Sequence, residues 1–143
     1  MWILELELDS EKQFVGKFAI KHNISTASYN LSYYKDKKWI YLIGAGFIFG
    51  EEKNKRAFIK DLKKQSFVKE YEFKNDFGVG IVKQPLFTEP FWNRKVIQVN
   101  PSLISSKQKK HIWYLASFDR KALEKILNVA EKKLGAKLLK FKQ

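Results

Sequence analysis

Two histidines, His22 and His111, are the only imidazoles in 143 residues, and there is no cysteine. The missing thiol excludes disulfides, thiolate metal sites and cysteine nucleophiles. Neither histidine stands in the His-Glu-x-x-His spacing that would put two ligands and a base on one helix face, so no zinc site is expected. No serine lies in a Gly-x-Ser-x-Gly elbow. Glu5 and Glu7 fall on one side of a strand-like run and could form a carboxylate pair, but alternating glutamates on a half-buried strand ordinarily face water. Gly44-Ala45-Gly46 begins a dinucleotide fingerprint, yet Phe49 stands where its third glycine belongs, within a strand rather than at a strand–helix turn. No catalytic residue, metal ligand or cofactor motif is therefore expected. An enzyme would need a site made only by folding, from acids such as Asp36, Asp76 or Glu89.

Binding chemistry is better represented. Pro85-Leu86-Phe87-Thr88-Glu89-Pro90-Phe91-Trp92 concentrates apolar area between two prolines. Phe87, Phe91 and Trp92 can plug a bare sheet face, or wall a ligand pocket or partner groove with Arg94 or Lys95 placed for an anionic group. A second cluster, Tyr29 and Tyr33 with Lys35, Lys37 and Lys38, has the residue types that stack and neutralise single-stranded nucleic acid on a sheet. Strand alternation puts Tyr29 and Tyr33 on one face and Tyr34 on the other. The net charge of +13 favours a polyanion, but Arg56, Arg94 and Arg120 are the only arginines among 28 basic residues. Lysine spread over every segment reads first as solvated surface.

These side chains need elements to hold them. Trp2, Leu4, Leu6 and Leu8 alternate with Ile3, Glu5 and Glu7 as a half-buried strand. Ser10 and Gln13 form a capping-box pattern ahead of a helix with Phe14, Val15, Phe18 and Ala19 on its apolar stripe. Residues 24–35 and 38–49 read as a hairpin about Lys35–Lys38, followed by a helix over 51–65 and a strand through Phe67, Tyr71 and Phe73. That order, β-α-β-β-α-β, is ferredoxin-like and occupies 1–75. Residues 76–143 repeat most of it, with strands at 77–83 and 95–104, then a strand over 111–118. Asp119 caps a helix to Leu134, Gly135 ends it, and a strand covers 137–142. The expected fold is α+β with antiparallel sheets: two ferredoxin-like halves packed as one compact domain, the second with the aromatic loop in place of its first helix.

No apolar run approaches the ~20 residues of a membrane span, and Met1-Trp2-Ile3-Leu4-Glu5 lacks the basic start of a secretory signal, so a cytoplasmic chain is expected. The opening strand, the loop Pro85–Trp92 and the stretch Ile112-Trp113-Tyr114-Leu115-Ala116-Ser117-Phe118-Asp119-Arg120 with its Leu134-Gly135 helix end carry a family likeness. The chain resembles the N-terminal region of archaeal bacterio-opsin-activator-like helix-turn-helix transcriptional regulators. The resemblance implies a sensing or oligomerising domain, with DNA read by a C-terminal helix-turn-helix for which no room remains after Gln143. A homodimer, a small-molecule effector and no enzymatic activity are the expectations. Single-stranded RNA binding through the tyrosine–lysine cluster is the alternative.

Overall fold

The computed structural model describes all residues, Met1–Gln143. In chain order the elements are β1 (Trp2–Asp9), α1 (Gly16–Lys21), β2 (Ser25–Lys35), β3 (Trp39–Phe49), α2 (Glu52–Lys63), β4 (Val68–Lys74), β5 (Phe77–Pro85), β6 (Ile97–Gln98), β7 (Ser102–Ile104), β8 (Lys110–Ser117), α3 (Arg120–Leu134) and β9 (Lys137–Lys142). They build an α+β fold with two antiparallel sheets, β6-β8-β1-β9 and β4-β5-β3-β2-β7. No helix is long and apolar enough to cross a membrane.

Each sheet carries its own core. Leu4 and Leu6 of β1 and Leu115 of β8 pack on Leu123, Ile126 and Ala130 of α3. Ile48 of β3 and Ile104 of β7 pack on Phe58 and Leu62 of α2 and on Phe18 and Ala19 of α1. The α3 ends follow from two residues: the Asp119 carboxylate accepts the Ala122 N–H at 3.3 Å, and Gly135 takes a left-handed φ of 61°.

Three boundaries differ from expectation. Ser10 does not cap α1: Asp9 instead accepts the Glu11 N–H at the start of a 3-10 turn over Ser10–Lys12, and α1 begins only at Gly16. The stretch 95–104 is not one strand, because it crosses between sheets. Gln98 pairs with Leu115 in one sheet, and Ser102–Ile104 pair with Ser28–Thr26 in the other. Pro101 lies at the crossing, where its missing N–H cannot continue a ladder. The proline-flanked segment is also more regular than a loop, forming a 3-10 helix over Leu86–Trp92.

Residues 1–75 do not close a sheet among themselves. β1 lies between β8 and β9, antiparallel to both, whereas β5 lies between β3 and β4. Each sheet thus contains a strand–helix–strand unit, β3–α2–β4 or β8–α3–β9, split by a strand from elsewhere in the chain. Burial of Leu4 and Leu6 against α3 places β1, and charge complements it. Its Glu7 meets Lys110 of β8 at 3.3 Å, and its Glu5 meets Lys140 of β9 at 3.1 Å. Oppositely charged neighbours across strands help fix register.

Candidate functional site

β2 controls which tyrosines meet. Asn30 pairs with Gly44 and Ser32 with Ile43, so Leu31 is an extra, unpaired residue. A bulge of this kind shifts the alternation by one. Tyr29 (opposite Ala45) and Tyr34 (opposite Tyr41) therefore share one face, and Tyr33 (opposite Leu42) takes the other. This reverses the arrangement expected from strict alternation. Tyr34 and Tyr41 stack at 4.8 Å on the face bare of helices.

The segment 86–92 is held by its own threonine. Buried Thr88 donates to the Pro85 carbonyl at 2.8 Å, and the Trp92 indole N–H reaches the Thr88 hydroxyl at 3.4 Å. Phe91 turns inward, edge-on to Trp113 at 5.4 Å, and joins the core beneath α3. Phe87 turns out, with the Lys133 ammonium 5.7 Å from its ring. Lys35 donates to Glu89 at 2.6 Å, tying the end of β2 to this segment; that bond and the Glu89 charge raise the Lys35 pKa.

Between the sheets these elements leave a cleft of about 320 Å³. Tyr33 and Leu42 contribute from one sheet, Trp113 from the other, and Phe91, Trp92 and Arg94 from the connecting segment. The Asn30 amide donates to Gln98 at 3.1 Å across the seam. Arg94 is exposed and belongs to no ion pair. Lys95, its neighbour, points elsewhere and pairs with Asp119 at 3.3 Å, which together with the Ala122 N–H holds the Asp119 carboxyl below its usual range. Of the four pocket residues expected from the sequence, Phe91, Trp92 and Arg94 come together, joined by Tyr33 from the other cluster. Phe87 does not line the cleft, and Lys37 and Lys38 sit exposed at the β2–β3 turn. Sequence reading missed Trp113, Asn30 and Gln98; a tryptophan within the alternating run 110–117 marked an inner face, but nothing local placed it beside Phe91.

The polar residues of catalytic type are separately engaged. Asp36 accepts the Lys38 and Trp39 N–H groups, both at 2.8 Å, bonds that lower its pKa. Asp76 pairs with Lys55 at 2.8 Å, and Glu89 with Lys35. Asp61 binds His22 at 2.7 Å and Lys21 at 3.0 Å, joining α2 to the end of α1, and these contacts bring its carboxyl down to about 2. His111 is buried with Ser10.

The cleft offers four aromatic rings, an amide pair and one unpaired guanidinium. It can therefore receive a flat apolar body with an acidic end. Comparison with models of known protein families gives no match, and no curated protein is similar to this chain.

Proposed function

We propose that this chain is a non-enzymatic regulatory module that binds a small anionic effector in the cleft between its sheets. One observation carries the reading: the fold gathers Tyr33, Phe91, Trp92 and the unpaired Arg94 around a single space of about 320 Å³, at the small end of ligand-pocket sizes. The guanidinium would fork onto a carboxylate while the rings cover its apolar body. A thermal-shift series of small aromatic and branched carboxylates tests it. A raised melting temperature with the intact protein, lost in Arg94→Ala, is the expected result. No shift with any acid, or a shift indifferent to Arg94→Ala, would overturn it.

The partner in this reading is a second copy of the chain. The face of the five-stranded sheet opposite α1 and α2 presents Tyr29, Tyr34, Phe47, Phe49, Phe77 and Leu103, each 38% to 56% exposed. At 150–250 Å² per aromatic side chain this is roughly 600 Å² of apolar surface, at the upper limit for the largest patch of a monomer and near the ~800 Å² each partner of a stable pair buries. Glu70, Glu72 and Lys74 of β4 edge the same face with mixed charge, which suits self-pairing better than a polyanion. Light scattering should show a dimer that Phe47→Asp splits. A monomer, or low-salt binding of single-stranded RNA abolished by Lys37→Glu with Lys38→Glu, would favour the alternative.

The same reading takes 1–75 and 76–143 as copies of one ferredoxin-like unit that have exchanged first strands, with Leu86–Trp92 standing where α1 stands. The likeness of Ile112–Arg120 to bacterio-opsin-activator-like regulators agrees with a sensing role, DNA being read by a separate helix-turn-helix.

A further inference from the structure

A second cavity, of about 180 Å³, lies between the five-stranded sheet and α2. Its floor is glycine. The β3–β5 register sets Gly44 across from Gly80 and Gly46 across from Gly78. β4 covers half of that patch, because Tyr71 and Phe73 are the cross-strand partners of Gly80 and Gly78, and a Cβ at 78 would run into the Phe73 ring. Aromatic rings over sheet glycines commonly repair such a gap. Gly44 has no such cover. A Cβ there would meet only the Tyr29 carbonyl oxygen, at 3.4 Å, an ordinary contact. Backbone crowding therefore does not require glycine at 44, and the missing side chain leaves open space under Phe58 and Leu62. An apolar gap of this kind forfeits dispersion contacts that an interior normally makes.

The walls specify what would fill it. Val15, Leu42, Val82 and Ile104 join the two α2 residues in a lining that is overwhelmingly apolar. No lysine or arginine lines the space, so an anion would find no counter-charge there, in contrast to the cleft beside Arg94. One wall group asks for a partner: the Tyr71 hydroxyl is sealed from solvent and makes no hydrogen bond. A buried hydroxyl in that state is unfavourable until something bonds it. For size, an apolar cavity of about 150 Å³ stays dry and takes benzene.

We propose that this cavity is a binding site for an uncharged molecule of about one aromatic ring bearing a single hydrogen-bond acceptor, with the ring over Gly44 and the acceptor on the Tyr71 hydroxyl. The site is independent of the effector cleft, although Leu42 and Asn30 line both.

Acetophenone and ethylbenzene, nearly equal in shape and differing in the carbonyl, are the probes. Titration of each into the full chain, followed by ¹³C-methyl NMR, should give saturable shifts at Val15, Leu62, Val82 and Ile104, with acetophenone about tenfold tighter, the discrimination of one buried hydrogen bond. Tyr71→Phe should erase that preference and keep ethylbenzene binding. Gly44→Val should fill the space and abolish both; should it fail to fold, Gly44→Ala, which meets no clash, should weaken both. Arg94→Ala should change neither, so the result stands or falls apart from the cleft. Absence of saturable shifts in the unmodified protein, or binding indifferent to substitutions at both 44 and 71, would overturn the proposal.

Discussion

The Ser10 hydroxyl lies 2.7 Å from His111 Nδ1, joining the residue after β1 to the second residue of β8. Both are buried, and His111 Nε2 has no partner. Burial pushes the His111 pKa from 6.5 down to about 4, opposed weakly by the Asp9 charge. The unfolded chain therefore takes up a proton at a higher pH than the folded one, so this stability is complete above about 6.5 and falls as the pH drops towards 4. Urea unfolding at pH 7 and pH 4 should differ by on the order of 3 kcal/mol more in the native chain than in His111→Gln. Equal pH slopes would contradict this.

Asp61 acts at lower pH. Its bonds to His22 and Lys21 bring its folded pKa to about 2, below the usual 3.8. The contribution is present above that ordinary value and is lost as the pH falls through about 2. Acid unfolding followed by circular dichroism should begin at higher pH in Asp61→Asn, with α1 loosening first.

The caps of α3 are separable. Asp119→Ala should cost about 1 kcal/mol by freeing the Ala122 N–H, and Gly135→Ala about 1 kcal/mol by forcing a side chain into the left-handed region. Gly135→Asn should recover part of the second loss. Thermal denaturation of the three variants checks the ranking.

Register in the four-stranded sheet rests partly on Glu5 and Glu7. Glu5→Lys places a third cation beside Lys140 and Lys142 on β9 and should destabilise by about 1 kcal/mol, whereas Glu5→Gln should cost only a few tenths. Adding salt should narrow the gap between the two.

Phe58 is the largest fully buried side chain of the protein, only 1% exposed. Phe58→Ala should cost about 3–5 kcal/mol, the range for emptying a well-packed aromatic site. A smaller loss would mean that the space beside Gly44 lets the neighbours collapse inward.

Local pattern carried much of this. The alternation Leu4, Leu6, Leu8 marked a buried strand, and Asp119 with Gly135 marked both ends of α3, because caps and periodicity are properties of neighbouring residues. The strand–helix–strand repeat was legible for the same reason. The position of β1 was not, since its partners, the apolar face of α3 and the lysines on β8 and β9, lie more than a hundred residues away in sequence. Leu31 shows the smallest such failure: one extra residue, with no glycine or proline to announce it, sends Tyr33 into the cleft and leaves Tyr29 outside. Phe91, Trp92 and Arg94 stand together because they are close in sequence, whereas Trp113 and Asn30 reach them only through sheet assembly.

The location of β1 also governs the order in which the molecule can be made. It leaves the ribosome well before both of its neighbours, which are complete only at Ser117 and Lys142. At ~5–20 residues per second, Leu4, Leu6 and Leu8 remain without their sheet for roughly ten seconds of synthesis. Such long-range pairing slows folding, and a nascent apolar strand in that interval is a natural client for a chaperone.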